Sequence, residues 1–162
     1  MRRVRRLLAI WILMVAALSS AGCGISVPAD PDDTLELVRG GTLRVGVSPH
    51  PPWTEVDGDG RPAGTEVDVV KRFASQLDAE PEWVIGGEEQ LVTRLEHGQL
   101  DLLIGGLSAN TPWSNKVAIT RPYTEATDAA GEPMELVMAA PMGENAFLRS
   151  LEVFLHEQQA SS

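Results

Sequence analysis

The sequence predicts an α/β fold in three layers, with a mostly parallel, twisted sheet flanked by helices. Three observations carry this. Segments with strand and helix patterns alternate along the chain from residue 42 onward. One strand segment, Leu100-Asp101-Leu102-Leu103-Ile104, is an almost continuous apolar run, as in a strand buried on both faces. The helical segments repeat their apolar residues every three or four positions, so each has one stripe to lay on a sheet.

In chain order, Thr42-Leu43-Arg44-Val45-Gly46-Val47 alternates apolar positions and runs into Pro49, Pro51 and Pro52, which makes it a first strand. After the turn Asp57-Gly58-Asp59-Gly60, Val67, Val70, Phe73, Ala74 and Leu77 fall at helical spacing, with Thr65 as the expected cap. Trp83-Val84-Ile85, ended by Gly86-Gly87, is a second strand. Leu91, Val92 and Leu95 mark a short helix that Gly98 closes in left-handed geometry. The run Leu100 to Ile104 is the third strand, and Val117 to Thr120 and Leu136 to Ala140 are the next two. Phe147, Leu151, Phe154 and Leu155 line one face of a last helix. The order β-α-β-α-β-β-β-α, without internal repeats, suits a sheet with helices on its faces.

The N-terminus predicts export. Arg2, Arg3, Arg5 and Arg6 precede the twelve-residue apolar run Leu7 to Leu18, and small residues lead to Cys23. A spanning helix needs roughly twenty residues, so residues 1–22 are expected to be a cleaved signal peptide. Ser20-Ala21-Gly22-Cys23 resembles the lipobox of bacterial lipoproteins, with Ser20 where leucine is commoner. That resemblance implies a diacylglycerol thioether on Cys23 and a lipid-anchored, extracytoplasmic protein at the cell membrane. Plain secretion with a free cysteine and a retained anchor helix are the alternatives, and the paired arginines also suit twin-arginine export. Cys23 is the only cysteine, so neither an internal disulfide nor a cysteine metal cluster is available, and acylation is its chemical use. Two acyl chains or more anchor stably where one does not.

Residues 23–34, rich in Pro, Asp, Gly and Ser, are expected to form a lipidated tether. Residues 35–158 should make one domain with a single core, and 159–162 a disordered tail. Loss of residues 1–22 moves the formal charge from −10 to −14. Such a surface excludes nucleic acid and anionic headgroups as partners of the body.

Several segments together resemble the first lobe of the bacterial family 3 extracellular solute-binding proteins. They are Gly41 to Val47 with Pro51-Pro52-Trp53, Asp59-Gly60, Gly64-Thr65-Glu66-Val67-Asp68-Val69, Leu95 to Ser108, and Arg121-Pro122-Tyr123. The resemblance implies one lobe of a type II periplasmic-binding-protein fold. It also implies a role in delivering a small polar solute, commonly an amino acid, to an ATP-driven importer. Two departures stand out. In the family a second lobe follows the Pro-Tyr segment, whereas here only Thr124 to Pro133 precedes Glu135 to Ala140, which resembles the returning strand. The ligand-side face is therefore expected to be open, and one lobe to hold a small ligand poorly. An ungapped alignment from Leu107-Ser108 through Pro122-Tyr123 also places Trp113 where the family carries its carboxylate-clamping arginine. An indole there favours a flat, apolar or cationic partner.

The candidate ligand-binding residues are His50, Trp53, Glu66, Gly106, Ser108, Asn110 and Trp113, at strand ends or a helix start, where open α/β sheets bind ligands. Each has a purely structural alternative. The two tryptophans suit loop packing, His50 a plain loop position, Ser108 and Asn110 turn capping, and Glu66 a carboxylate in a helix's first turn. His97 and His156 read as solvated helix ends, so no metal site is expected, and nothing calls for a cofactor. A nucleophile beside a base, or two converging carboxylates, is not recognisable, so no catalytic residue is named. Two functions follow: a substrate-binding lipoprotein for a small polar solute, an amino acid or amine, or a protein-interaction module that docks an envelope or membrane protein, such as a transporter, through the open face.

Overall fold

A computed structural model describes residues 30–128 and 130–160. The expected signal peptide, Cys23 and most of the tether lie outside the described residues. The described residues open with the short helix α1 (Thr34–Val38) and strand β1 (Thr42–Val47), followed by a two-stranded flap, β2 (Glu55–Val56) and β3 (Pro62–Ala63). Helix α2 (Thr65–Gln76), β4 (Glu80–Ile85), α3 (Glu88–Glu96) and β5 (Leu102–Ser108) come next. They precede β6 (Ala118–Ile119), β7 (Thr124–Thr127), β8 (Pro133–Ala140) and α4 (Asn145–Ala160).

The main sheet has the order β4-β1-β5-β8-β6, with β7 also on β8. β1 pairs in parallel with β4 and β5, whereas β8 runs antiparallel to β5, β6 and β7. Among the described residues five strands of this sheet thus share one direction and β8 opposes them, in line with the mostly parallel arrangement read from the sequence.

Alternation along the strands divides the core between the two faces. Leu43, Val45 and Val47 of β1, Leu102 and Ile104 of β5, and Met138 and Ala140 of β8 face one way, against Val67, Val70 and Phe73 of α2 and Phe147, Leu151 and Phe154 of α4. Phe73 holds edge and tilted contacts with Phe147 at 5.9 Å and Phe154 at 5.3 Å. Leu103, Leu107, Val137 and Ala139 face the other way, against Leu91, Val92 and Leu95 of α3. At the N-terminal edge of the parallel strands, the buried Asp101 accepts from the Arg44 backbone N–H at 2.8 Å and from its Nη2 at 2.5 Å, while Arg44 Nη1 donates to Gly98 O at 2.8 Å.

Several elements differ from the expectation. β4 starts three residues earlier than the apolar signal, because Glu80 to Glu82 pair with Thr42 to Arg44 without needing apolar side chains. β5 extends through Gly105 and Gly106 to Ser108. The cap of α2 is Gly64 rather than Thr65, which is the first helical residue. At the N-terminus the buried Glu144 accepts from Asp32 N at 3.1 Å and Thr34 N at 3.2 Å, which ties residues 32–34 of the expected tether to the start of α4. At the other end α4 reaches Ala160, two residues into the expected tail. Among the described residues no helix is long and apolar enough to cross a membrane.

Candidate functional site

At the C-terminal edge of the parallel strands, β1 leads into the loop Ser48 to Thr54, which contains the cis bond Pro51-Pro52. Thr54 clasps this loop: it is fully buried, its Oγ1 donates to Ser48 O at 2.6 Å, and the same oxygen accepts from His50 N at 2.9 Å. The loop presents His50, exposed, and Trp53, half-buried, with their rings edge to face at 5.1 Å. α2 begins directly beneath, where Glu66 N donates to Trp53 O at 3.1 Å.

Gly106 sits under this aromatic pair. Its φ is +62°, and a Cβ built there would lie 2.6 Å from Trp53 Cε3 and 3.3 Å from His50 Cγ. Only a residue without a side chain meets both constraints. Glu66 lies behind Gly106. Its side chain is buried, and Oε2 accepts from Gly105 N and Gly106 N, each at 2.9 Å, while Oε1 accepts from Tyr123 Oη at 2.5 Å. Burial raises the Glu66 carboxyl above its ordinary value despite the three donors, of which Tyr123 is the strongest. Burial, followed by the neighbouring Glu66 charge, raises the Tyr123 phenol.

β7 and β8 form a hairpin in register Thr124↔Leu136 to Thr127↔Pro133. Its turn is closed by Asp128, whose Oδ1 accepts from Ala130 N at 2.8 Å and Glu132 N at 2.9 Å, while Asp128 N donates to Glu132 O at 2.9 Å. This hairpin stands where the resemblance expects the crossing to a second lobe. Together with the end of β5 it bounds an open depression of about 850 Å³, within the size range of small-molecule sites. His50, Ser108 and Asn110 line one side and the hairpin residues Glu125, Asp128, Met134 and Glu135 the other. Among the described residues no lysine or arginine lines it.

The candidates from the sequence therefore fall into three groups. His50, Ser108 and Asn110 come together in the depression, with Gly106 and Trp53 packed behind His50. Glu66 does not line the depression, and protein donors hold both of its oxygens. Trp113 lies apart: its indole packs on the cluster containing Leu91 and Val92, its Nε1 donates to Glu88 at the start of α3 at 2.5 Å, and Lys116 Nζ stands 5.8 Å from its ring. Thr54, Tyr123 and the hairpin carboxylates were not singled out from the sequence. For the hairpin a signal existed, since Asp128 and Gly131 interrupt two extended segments as a turn does.

Comparison with known proteins places these features. The pattern of the bacterial extracellular solute-binding proteins, family 3, matches residues 43–160. The chain is 27% identical over 112 residues to a probable amino-acid ABC transporter periplasmic-binding protein of Sinorhizobium fredii, covering 67% of this chain and 36% of that protein. It is 32% identical over 113 residues to a membrane-bound lytic murein transglycosylase F of Idiomarina loihiensis, covering 69% of this chain and 24% of that protein. The chain thus spans about a third or less of these relatives. Among solved structures, the arginine-bound form of domain 1 from TmArgBP, the T. maritima arginine-binding protein, matches with TM-score 0.66 and 28% identity over 75% of this chain and 97% of that one. A single-substitution mutant of the same arginine-bound domain matches with TM-score 0.69 and 26% identity, covering 78% and 98%. The fold is therefore that of one such lobe, and the chain belongs to the bacterial extracellular solute-binding proteins, family 3.

Proposed function

We propose that this chain is a lipid-anchored, extracytoplasmic substrate-binding protein associated with solute transport, and that its depression takes a small organic cation, an amine or a guanidine. The observation that carries the reading is the composition of the depression: Ser108 and Asn110 offer hydrogen bonds on one side, and three carboxylates line the other, without a lysine or arginine among the described residues. Glu125 and Glu135 are also direct cross-strand partners. Like charges placed so are unfavourable by themselves, and a bound cation relieves them. With Trp113 packed on α3 at the position of the family's arginine, a carboxylate on the ligand gains no clamp. The arginine-bound solved domains are single lobes similar to this one, which supports capture by one lobe and weighs against the expectation that it holds ligand poorly. The described chain enters at α1, beside the N-terminal ends of the parallel strands, while the depression opens at their C-terminal ends. This arrangement suits an anchor at Cys23 that leaves the depression unobstructed.

The test is a thermal-shift panel on the full chain in mild detergent with agmatine, putrescine, L-arginine, L-glutamine and L-glutamate. Stabilisation by the cations and none by L-glutamate supports the reading. A response to no compound overturns it and leaves the docking reading, which the open face of the lobe favours. Palmitate labelling that is lost in Cys23→Ser tests the anchor.

A further inference from the structure

The ladder between β5 and β8 is interrupted where the site begins. Leu103 pairs with Ala139 and Leu107 with Val137, so β5 uses four residues where β8 uses two. Gly105 and Gly106 lie inside this bulge, buried, and their N–H groups both donate to Glu66. A buried N–H without an acceptor is costly, so the bulge requires this carboxylate. Bulges re-aim the chain that follows them, and here that chain is Leu107 to Asn110, which carries Ser108 and Asn110 into the depression. The other oxygen of Glu66 holds Tyr123, the residue immediately before β7.

We propose that Glu66 is a positioning residue: its carboxylate clamps the β5 bulge to the root of the β7–β8 hairpin and thereby sets the spacing of the two walls of the depression. It acts on a ligand through Ser108 and Asn110, without touching it. The consequence for binding rests on the reading of the depression as a solute site, whereas the clamp itself is measured without any ligand. Burial raises both the Glu66 carboxyl and the Tyr123 phenol, so their contact is shielded from water. The other charged groups near it are His50, whose field acts on Glu66, and Arg72 and Glu125 at the rim of the neighbouring recess.

The experiment compares the full chain in mild detergent with Glu66→Gln and Glu66→Ala. Amide exchange at Gly105 and Gly106 is read relative to Leu136, which sits in the regular ladder. In Glu66→Ala these two amides should exchange roughly tenfold to a hundredfold faster. Glu66→Gln, which retains one carbonyl oxygen, should restore most of the protection. Tyr123 is the only tyrosine, so second-derivative near-ultraviolet absorbance at neutral pH reports the hydrogen bond of its hydroxyl, and its band should shift to shorter wavelength in both variants. Agmatine binding should weaken about tenfold in Glu66→Ala and stay within roughly threefold of wild type in Glu66→Gln. Unchanged exchange at Gly105 and Gly106, acceleration of all amides alike in folded protein, or an unmoved Tyr123 band overturns the clamp. If Glu66→Ala does not fold, the Tyr123 band in Glu66→Gln decides alone. Failure of agmatine to bind any form refutes the solute reading and leaves the exchange and absorbance results to judge the clamp.

Discussion

Gly106→Ala tests the local geometry on which the site depends. The substitution asks an alanine to adopt φ of +62°, which costs about 1–2 kcal/mol for a residue with a Cβ. It also sets that Cβ 2.6 Å from Trp53 Cε3, so the indole must shift and its edge contact with His50 is lost. Overpacking of this kind costs a further 1–3 kcal/mol or so. The expected destabilisation is about 2–5 kcal/mol, a fall in melting temperature of roughly 6–15 °C for a domain of this size. A double-mutant cycle with Trp53→Ala separates the two contributions, since removal of the ring abolishes the clash and leaves the backbone cost. Circular dichroism melts of the four proteins give the coupling. Additive effects would refute the steric argument, and a loss below about 0.5 kcal/mol would refute the backbone argument as well.

Three further outcomes follow from the same geometry. Asp101→Ala removes the acceptor of the Arg44 backbone and guanidinium and should cost about 2–4 kcal/mol, with Asp101→Asn near half of that, read as a lower urea midpoint at constant m. Glu66 carries a raised carboxyl, so the folded protein holds this proton more tightly than the unfolded chain does. Its contribution to stability is fully present below the unfolded carboxylate range and is lost as pH rises through the higher folded value. Urea midpoints across that window should therefore decline less steeply in Glu66→Gln than in wild type. Glu125→Gln relieves the cross-strand repulsion with Glu135 and should stabilise the free protein by about 0.2–1 kcal/mol while weakening agmatine, which calorimetry and melts measure side by side.

Much of the fold was legible because it rests on periodicity. Leu43, Val45 and Val47 alternate, Val67, Val70 and Phe73 repeat at helical spacing, and both patterns reach the faces they imply. What escaped has little periodic signal. β7 reads Thr-Glu-Ala-Thr and forms because β8 offers it an edge, and α1 is held by Glu144, 110 residues away along the chain from Thr34. For the candidate site the sequence speaks to position more than to role. The strand-end rule brings His50, Ser108 and Asn110 to one depression. It does not separate a carboxylate facing solvent from one turned inward, and so Glu66, read from its helix start, belongs to the bulge of β5. Trp113 shows the same limit, since its partner Glu88 lies 25 residues upstream and nothing local marks the contact.

The account turns on whether one lobe captures a cation without needing its carboxylate. Agmatine and L-arginine share a guanidinium and differ in the carboxylate, so calorimetric titration of both into the full chain, with Glu135→Gln alongside, addresses this directly. The account predicts that agmatine binds at least as tightly as L-arginine and that Glu135→Gln weakens both. L-arginine bound tenfold or more tightly than agmatine, or no heat from either, would contradict it.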